Sequence, residues 1–500
     1  MTTSVNIQNI WTRIFSDNPA VLDIARNVAS FTMKNWKIRR SKWRERLMRE
    51  RKVCPFPSDT CTCEWCRAER WDGKQFIGKN ISGGVIIPTG CVSMFITIAK
   101  VSNNDMEITN DRIIQPELPD VDWSLKRTPR QYQNKTLEAI LTHGRGIVKS
   151  PTASGKSMMM AMLISTLKRT TIIKVPRLVI MDQIRNEIIE SLNIEEEEIG
   201  TIGRSKYNPS LITITTTNSL SNLLKKPKQW ADFMSLHRQY GWGLLIEDEV
   251  HRGASKTSYE TTMKIDAFYR VGFSATPLMR EDNENLKIVA GYGDIIQDVK
   301  KQELVDGGWL IAPSITFLSV KPIPTVGRDR WADVYNMGIV FNKERNRKII
   351  DIVNEMFKNN KSTLIFVDRI DHGNEILSMC KSYANHEVEF VFADNPKREE
   401  LLARFKNKEL KTLISTTGII GEGFDFRGLD AAIIGDGGKS VIETLQKMGR
   451  GMRPEEGKKE FLLFDFGDRG KYISDHARRR KVTYMASGFN VDVSETPYLK

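Results

Sequence analysis

Residues 145–167 read RGIVKSPTASGKSMMMAMLISTL and contain a strand, a loop and a helix in that order. The β-branched stretch 145–149 predicts the strand, and the strong helix formers of 158–167 predict the helix. The loop between them, 150–157, has the order x-x-x-x-x-G-K-[ST] of a phosphate-binding loop, although Ser150 stands where the strict pattern has glycine. Strand, loop and helix form the context that this motif requires, whereas a Gly-Lys-Ser string at an ordinary turn would be a chance match.

The loop offers several groups to a nucleoside triphosphate. Backbone N–H groups of the loop and of the helix N-terminus cradle phosphate. The loop residues expected to do this are Thr152, Ala153, Ser154 and Gly155. Lys156 is expected against the β- and γ-phosphates, and Ser157 is expected to ligate Mg²⁺. ATP and Mg²⁺ are therefore the predicted substrate and cofactor.

A second stretch, 244–251, reads LLIEDEVH and places two adjacent carboxylates at the end of an apolar strand. In a parallel sheet this is the end at which ligands bind. Asp248 is predicted to hold Mg²⁺ through water, and Glu249 to orient and deprotonate the attacking water. A solvated acidic turn is the alternative, but His251 completes an Asp-Glu-x-His string that this alternative does not explain. Loop and carboxylates together predict hydrolysis of a nucleoside triphosphate.

Further motifs follow in a fixed order along the chain. They are 130–133, 175–178, 215–220 and 272–277 in the first half, and 363–367, 416–425 and 446–453 in the second. With the loop and the carboxylates, they resemble the motifs of superfamily 2 helicases of the Asp-Glu-x-His class. The resemblance covers most of the chain, and it implies two RecA-like motor domains with nucleotide in the cleft between them.

The resemblance also implies roles for individual residues. For the nucleotide, it implies adenine recognition by Arg130 and Gln133 and ribose contact by Gly423 and Asp425. Catalysis is expected of Gln446, Arg450 and Arg453 of the second motor domain, and coupling of hydrolysis to strand movement of His251, Ser274 and Thr276. DNA-backbone contact is expected of Arg177 and Thr216. Arginine fingers stabilise charge on the departing γ-phosphate, so hydrolysis is expected to depend on closure of the cleft.

Within that class the chain most resembles the phage UvsW-type helicases, which are related to the XPB and RecG group. The stretches that carry this resemblance are 71–74, 86–90, 307–313 and 345–346. It implies 3′ to 5′ movement and a small N-terminal domain, whose Lys74 is expected to contact DNA. The chain departs from the family pattern at Ser150, at Arg177, where a hydroxyl residue is usual, and in a cysteine-bearing stretch, 54–66.

The formal net charge is +13, and part of the surplus lies in one run. Residues 34–52 contain ten Lys or Arg against Glu45 and Glu50, with Trp36 and Trp43 interleaved. Such a run suits contact with nucleic-acid phosphates combined with stacking of the tryptophans. A solvated basic helix whose tryptophans pack on the core is equally compatible with the pattern.

Six cysteines in 500 residues predict a reducing cytoplasm, which is the host cytoplasm if the protein is viral. Four of them, Cys54, Cys61, Cys63 and Cys66, lie close together, and four thiolates can enclose a structural Zn²⁺. Because the Cys61-x-Cys63 spacing is unusual for zinc, a loop of cysteines without metal remains the alternative. The other two are expected to be core residues.

The expected fold class is α/β: two RecA-like parallel-sheet motor domains preceded by a small α+β domain. The predicted boundaries are 1–115 for an N-terminal DNA-binding module, 121–298 and 299–484 for the motor domains, and 485–500 for a tail. Strands of the second motor domain are predicted at 363–367, 388–392, 411–415, 431–435 and 461–465. No apolar run reaches the roughly 18 residues of a membrane span, and the first residues lack the pattern of a secretory signal.

The leading functional expectation is an ATP-dependent DNA helicase or translocase that remodels forks, D-loops or junctions in phage-type replication, recombination or repair. Its expected partners are single-stranded and branched duplex DNA, with other replication or recombination proteins. Three alternatives remain: an RNA helicase, a duplex-DNA translocase that does not unwind, and a nucleic-acid-binding protein with an inactive ATPase. Motor domains of this type grip mainly the backbone, so selectivity for branched DNA is expected from residues 1–115.

Overall fold

The computed structural model describes residues 3–34, 36–55, 61–70, 72, 74–151, 153–236, 238–280, 282–321, 330–417, 429–438, 458, 460–486, 489 and 491–493. Two compact units are distinguished, one of Met1–Ser150 and Lys156–Asp298, the other of Pro151–Gly155 and Val299–Lys500. No helix in these ranges is long and apolar enough to cross a membrane.

The first part of unit 1 is a small mixed domain. Its strands are β1 (Thr3–Ile7), β2 (Trp11–Ser16), β3 (Ser30–Thr32), β4 (Lys74–Phe76), β5 (Lys79–Ile81), β6 (Gly84–Pro88) and β7 (Met106–Asn110). Its helices are α1 (Pro19–Val28), α2 (Trp36–Arg49), α3 (Glu64–Arg70) and α4 (Val92–Val101). Five strands form a sheet in the order β5-β6-β2-β1-β7, and β3 pairs with β4 in a separate two-stranded sheet.

Helix α4 differs from what its sequence indicates. Its β-branched residues favour a strand locally. The structure has a helix instead, because Phe95 and Ala99, four residues apart, are both fully buried on one face against the core that α1 also covers. Tertiary burial of a helical face outweighs the local preference.

The second part of unit 1 is a larger sheet. Its strands are β8 (Arg145–Lys149), β9 (Thr171–Val175), β10 (Ile199–Gly203), β11 (Lys206–Asn208), β12 (Ile212–Thr216), β13 (Leu244–Asp248), β14 (Tyr269–Ser274) and β15 (Ile295–Asp298). Its helices are α5 (Gln131–His143), α6 (Lys156–Leu167), α7 (Leu178–Ser191), α8 (Thr217–Leu224), α9 (Pro227–Met234), α10 (Lys256–Thr262) and α11 (Asn285–Tyr292).

The strand order of this sheet is β11-β10-β12-β9-β13-β14-β8-β15, and every pairing except β10 with β11 is parallel. Both faces are buried. Ile173 and Ile246 belong to one apolar core, whereas their neighbours Ile172 and Leu245 belong to a second core. Burial on both faces explains why these strands are continuous apolar runs rather than alternating ones.

The small domain packs directly on the larger sheet. Gly90 lies so close to α11 that a Cβ atom there would be 1.9 Å from the carbonyl oxygen of Val289. Arg145 donates hydrogen bonds to the carbonyl oxygens of Asn9 and Gly291, each at 3.1 Å. Ala290 of α11 is part of the apolar core of the small domain. The two parts of unit 1 are therefore held together by close backbone contact and a shared core.

Unit 2 contains a second parallel sheet. Its strands are β16 (Pro313–Ser319), β17 (Thr363–Val367), β18 (Val388–Val391), β19 (Thr412–Thr416), β20 (Ala431–Ile434), β21 (Phe461–Gly467) and β22 (Val491–Asp492). Its helices are α12 (Lys301–Asp306), α13 (Trp331–Tyr335), α14 (Lys343–Lys358), α15 (Ile370–Tyr383), α16 (Arg398–Lys406) and α17 (Ile473–Ala486), with a π-helix at Asn336–Val340.

The strand order is β18-β19-β17-β20-β21-β16-β22, and all pairings are parallel. Strands β17 to β21 agree with the five predicted strands to within two residues at either end. One difference concerns the segment from Met485, which the sequence predicts as a tail. Helix α17 extends into that segment, and the two residues of β22 pair with β16. A strand of two residues is too short to leave a periodic pattern in the sequence.

Candidate nucleotide-binding site

The two motifs lie at one edge of the larger sheet of unit 1. Strands β8, β14 and β13 are neighbours and run parallel, so their carboxyl ends meet. The phosphate-binding loop follows β8, Asp248 ends β13, and Ser274 ends β14. In a parallel sheet this edge collects the residues that bind ligands.

The loop has the backbone conformation of an anion-binding turn. Ala153 and Gly155 have left-handed φ values of 67° and 74°. Alternation of left- and right-handed residues directs successive N–H groups toward one concave side. The Ser154 hydroxyl donates to the Pro151 carbonyl oxygen at 2.8 Å, which braces the turn. Ser150, the departure from the glycine consensus, is fully buried, and its N–H donates to the Ser274 carbonyl oxygen at 2.9 Å.

Lys156 and Glu249 form the centre of the site. The Lys156 ammonium donates to Glu249 Oε1 at 3.1 Å, and His251 Nδ1 lies 3.2 Å from Glu249 Oε2. Burial favours the neutral form of Glu249, but Lys156 and His251 outweigh burial and lower its pKa to about 2. Burial also disfavours the charge on Lys156, but Glu249 and Asp248 outweigh it and raise the Lys156 pKa. Both groups are charged at neutral pH.

Asp248 is placed to bind a cation. The residue is 9% exposed, and among the residues that the structure describes its Oδ1 has no hydrogen-bond partner. Burial raises its pKa to about 6, although Lys156 acts in the opposite direction. Thr276 Oγ1 is likewise buried without a partner in the same set of residues. Unsatisfied buried oxygens are the ligands that Mg²⁺ prefers, and Ser157, half-buried in the first turn of α6, is available on the loop side.

A hydrogen-bonded chain leads from the carboxylates to the end of β14. His251 Nδ1 lies 3.0 Å from the Ser274 hydroxyl, and that hydroxyl accepts the Thr276 N–H at 3.1 Å. The three residues for which a coupling role is predicted are therefore in direct contact. Arg280 extends the chain, since its guanidinium donates to the His251 carbonyl oxygen at 3.1 Å. Arg280 was not anticipated, and its position shortly after the 272–277 motif is the only signal in the sequence.

A buried ion pair behind the site was also missed. Lys174 of β9 and Glu247 of β13 lie 3.2 Å apart and are 0% and 3% exposed. The Lys174 ammonium also donates to Ser258 and Thr262, and Glu247 accepts from the Tyr292 hydroxyl at 2.5 Å. The pair fixes β13 against α10, next to Asp248. Its signal in the sequence is a charged residue next to apolar ones in each strand: Lys174 between Ile173 and Val175, and Glu247 after Ile246.

The predicted base-reading residues lie at the start of α5. Gln133 is 3% exposed, and its Oε1 accepts the Arg130 N–H at 2.9 Å. This hydrogen bond closes the first turn of the helix, so the side-chain oxygen of Gln133 already has a backbone partner. The Arg130 guanidinium donates to the Tyr132 hydroxyl at 3.3 Å.

Predicted DNA contacts at the sheet edge are helix caps in the structure. Arg177 and Thr216 precede α7 and α8, which follow β9 and β12 at the same edge as the phosphate-binding loop. Thr216 is 5% exposed, and its hydroxyl oxygen accepts the Ser219 N–H at 3.1 Å. The contact that the structure shows for the Thr216 side chain is therefore the helix cap. The N–H groups of the two helix N-termini remain suited to phosphate.

The predicted contacts of the small domain have protein partners. Trp43 packs against the buried Leu47 and Trp65, and its Nε1 donates to Glu64 at 3.1 Å. This is the packing role that the sequence leaves open beside stacking. The Lys74 ammonium donates to Asn27 at 2.6 Å. Trp36 begins α2, but its side chain is outside what the structure describes, as are Thr152, Gly423, Asp425, Gln446, Arg450 and Arg453.

Comparison with known proteins gives two family matches. Residues 126–279 match the type III restriction enzyme, res subunit, and residues 344–455 match the helicase conserved C-terminal domain. A putative DNA 3′-5′ helicase Rad25 of Haloarcula marismortui is 25% identical over 75% of this chain and 58% of that protein. The ATP-dependent DNA helicase uvsW of Enterobacteria phage T4 is 21% identical over 68% of each.

Solved structures agree on the architecture. The ATP-dependent type ISP restriction-modification enzyme LlaBIII bound to DNA has a TM-score of 0.56 at 15% identity, covering 81% of this chain and 34% of that one. At this identity the likeness shows the fold alone, that of two RecA-like domains. The chain spans about three-fifths of the length of the first two Rad25 relatives, 58% and 59%. With both helicase domains matched and the motifs in order, the chain belongs to the superfamily 2 helicases and is related to their XPB/Rad25 and UvsW types.

Proposed function

We propose that this protein is an ATP-dependent DNA helicase or translocase that remodels branched DNA. The observation that carries the ATPase part is the contact of Lys156 with Glu249, beside the unsatisfied Oδ1 of Asp248. A lysine on a phosphate-binding loop, facing a base and a cation ligand, is the arrangement that phosphoryl transfer to water requires. The protein is proposed to act in a reducing cytoplasm, where its cysteines stay thiols.

The Lys156–Glu249 contact suggests how the base is switched on. Without nucleotide, Lys156 holds the pKa of Glu249 at about 2, where a carboxylate is a weak base. A bound triphosphate offers Lys156 a more highly charged partner. When Lys156 moves to the phosphates, Glu249 loses its ion pair, its proton affinity rises, and it orients the attacking water and accepts its proton. Mg²⁺, held by Ser157 and Asp248, would neutralise phosphate charge in the same site.

Other parts of the mechanism rest on the family resemblance. Thr152 to Gly155 cradle the phosphates, while Arg130 and Gln133 read the base. Gly423 and Asp425 contact the ribose, and Gln446, Arg450 and Arg453 act on the γ-phosphate. The chain His251–Ser274–Thr276 is in place to relay the state of Glu249 to the end of β14. Its role in coupling hydrolysis to strand movement belongs to the same proposal.

DNA is the proposed nucleic acid. Relatives of this chain are named DNA 3′-5′ helicases, and the net charge of +13 favours a polyanionic partner. The N-termini of α7 and α8 present N–H groups at the sheet edge, where backbone phosphates can bind. Selectivity for forks, D-loops or junctions is assigned to the small domain with its basic helix α2. Because branched DNA is the proposed substrate, we propose that the protein acts in replication, recombination or repair. Proteins of those pathways are its proposed partners.

An RNA helicase and a translocase that does not unwind are the competing functions. They are separated by measuring ATPase stimulation with single-stranded DNA, duplex DNA, a fork and RNA side by side, together with strand displacement from the fork. We expect the fork to stimulate most and to be unwound. Stimulation by RNA alone would replace the DNA assignment, and duplex stimulation without displacement would favour the translocase.

Two substitutions test the ATPase site itself. Lys156→Ala and Glu249→Gln are each expected to lower hydrolysis by at least about 100-fold, the usual contribution of a positioned base. Glu249→Gln should still bind ATP, because the phosphate-binding groups remain. Lys256→Ala and Glu260→Gln are matched controls, since both side chains are exposed on α10 and pair with each other at 3.9 Å. Normal turnover in Glu249→Gln would contradict the assignment.

A further inference from the structure

Four cysteine side chains meet in the excursion between β3 and β4. The Sγ atoms of Cys54, Cys61, Cys63 and Cys66 all lie within 4.8 Å of one another. Cys54 Sγ and Cys61 Sγ are 3.8 Å apart, which is too far for a disulfide bond. Tetrahedral coordination with Zn–S bonds of about 2.3 Å places sulfurs roughly 3.8 Å apart. The Cys54–Cys61 pair has this separation, and all four sulfurs lie within 4.8 Å of one another.

The backbone around the cluster also fits a metal. Cys63 and Cys66 have C-x2-C spacing, and Cys66 lies in the first turn of α3. The Cys66 N–H points at Cys63 Sγ with a distance of 3.4 Å. An amide N–H directed at a sulfur stabilises the thiolate form, which is the form that binds metal. Arg70 donates to the Cys61 carbonyl oxygen and brings a further positive charge beside the cluster.

The excursion is too small to be held by its own apolar core. Residues 33–73 leave the sheet after β3 and return at β4, where Thr32 pairs with Lys74. Among the residues of this excursion that the structure describes, the buried apolar ones are Leu47, Trp65, Cys66 and Ala68, with Trp43, Cys54 and Cys61 partly buried around them. Units of about 40 residues or fewer usually need disulfides, a metal or a partner to fold. Two of the four thiols are half-buried in the core itself and a third is fully buried, so a metal bound there would cross-link the core directly.

We propose that Cys54, Cys61, Cys63 and Cys66 bind one structural Zn²⁺, which holds the basic helix α2 against α3. Ion pairs already connect the two helices, since Arg44 contacts Glu69 and Arg46 contacts Glu64, each at 2.6 Å. These pairs are exposed and weak by themselves. The metal would bind Cys54, which follows α2, together with Cys66 of α3, and so link the two helices beside the small core that contains Leu47.

The fixed helix presents a cationic surface. The side chains of Lys37, Lys42, Arg49 and Arg51 are exposed along α2 and just beyond it. A helix held rigidly in place loses less entropy when its cations bind a row of phosphates. We assign duplex-DNA phosphates to this surface, and this part of the inference depends on the proposed DNA function. A Zn²⁺ with four thiolates carries a net charge of −2, which the surrounding arginines offset.

Zinc content tests the site without reference to activity. The full chain, purified under reducing conditions, is analysed for metal by mass spectrometry, and about one zinc per chain is expected. The variants Cys63→Ser and Cys66→Ser should lose the metal. The control variant Cys380→Ser, which changes a buried cysteine of α15, should keep it. Cobalt replacement should give the thiolate charge-transfer absorption of a tetrahedral site. Zinc below about a tenth of an equivalent with no cobalt absorption would overturn the site.

Measurements of duplex-DNA binding test whether the zinc site holds α2 in place for contact with DNA. Cys63→Ser should bind duplex DNA about tenfold more weakly at moderate salt, and the slope of log affinity against log salt should fall by about 0.9 for each phosphate that the variant no longer neutralises. Its ATPase rate without DNA should match that of the full chain, which shows that the motor is folded. Loss of zinc with unchanged duplex binding would overturn the role of α2. Absence of ATPase in the unmutated protein would count against the proposed function and not against the zinc site.

Discussion

The backbone of Glu249 and both of its carboxylate oxygens are constrained by their surroundings. It has left-handed backbone angles, φ 51° and ψ 50°, directly after β13. For a residue with a side chain this conformation costs of order 1–3 kcal/mol and persists only where the surroundings impose it. Here Lys156 and His251 hold the two carboxylate oxygens. The strain turns the side chain toward the phosphate-binding loop while Asp248 ends the strand, so neighbouring residues serve two different tasks.

The Ser274 hydroxyl connects His251, which contacts Glu249, with the backbone of Thr276 beyond the end of β14. Ser274→Ala removes the group that contacts both His251 and Thr276. We expect DNA-stimulated turnover to fall by about 3- to 30-fold, the usual range for a coupling residue, with little change in ATP affinity. Steady-state ATPase with and without DNA measures this, and Ser235→Ala, at the C-cap of α9 and away from these contacts, is the control. An equal fall in basal and stimulated rates would argue for a purely structural role.

The buried pair of Lys174 and Glu247 predicts a non-additive pair of substitutions. Lys174→Met leaves Glu247 buried without its cation, and we expect the free energy of unfolding to fall by about 3–5 kcal/mol. The double variant Lys174→Met with Glu247→Gln removes both charges, so much of that loss should be recovered. Denaturant unfolding of both variants measures the difference. A double variant that is less stable than the single one would show that the ion pair itself stabilises the fold.

Among the elements of unit 2, the packing of two helices determines the pKa of a buried histidine. Helix α15 lies against α14, and His372 of α15 meets Asn346 of α14 at 3.1 Å. His372 is fully buried, and burial, aided by Arg345, lowers its pKa to about 3. The imidazole is therefore neutral in the folded protein, and its Nε2–H donates to Asn346 Oδ1.

This helix pair predicts acid sensitivity of unit 2. Between the ordinary pKa of 6.5 and the folded value of about 3, the unfolded chain binds a proton at His372 and the folded one does not. Stability is therefore lost as the pH falls below 6.5, by up to about 1.4 kcal/mol per pH unit. His372→Gln keeps a donor for Asn346 and should reduce that slope in urea unfolding. The exposed His143→Gln should leave it unchanged; an unaltered slope in His372→Gln would contradict the assignment.

At the scale of the whole molecule, the small domain is part of the first motor unit rather than an appendage. Gly90 meets α11 by backbone contact, and Ala290 contributes to the core of the small domain. Deleting all of residues 1–115 would remove that core and expose Ala290 and the face of α11 that packs against it. Residues 33–73 are different, because they form an excursion with the paired strands β3 and β4 at its base. An ion pair of Arg39 with Glu284, at 4.0 Å, also joins the excursion to the rest of unit 1.

Excision of residues 33–73 is therefore the cleaner test of substrate selection. A two-residue Asn-Gly turn can join antiparallel strands such as β3 and β4. The shortened protein should keep its ATPase rate without DNA and its melting temperature, but bind forks more weakly and with a shallower salt dependence. Binding and strand displacement assays on forks measure this. If the shortened protein unwinds forks as well as the full chain, the excursion serves packing or another partner.

Features that local patterns encode could be predicted from the amino-acid sequence. The loop 150–157, the carboxylates after β13 and the strands β17 to β21 could be predicted, because a turn, a strand or a motif is specified by neighbours in the chain. The fold class, with two RecA-like domains, was implied by the resemblance of these motifs to those of superfamily 2 helicases. Motifs in order were enough to indicate the family, since each needs only a few residues at fixed spacing.

Contacts between side chains that are distant in the chain depend on the three-dimensional packing. Lys174 and Glu247 are 73 residues apart in sequence, and strand order alone brings them into contact. Thr216 caps α8 and Trp43 packs on a small core, choices that depend on burial and not on residue type. Helix α4 forms although its β-branched residues favour a strand, and strand β22 is too short to leave a pattern in the sequence. In both cases contacts with distant elements determine the structure. Hydrogen bonding and apolar burial act between elements distant in the chain, and no window of sequence contains both partners.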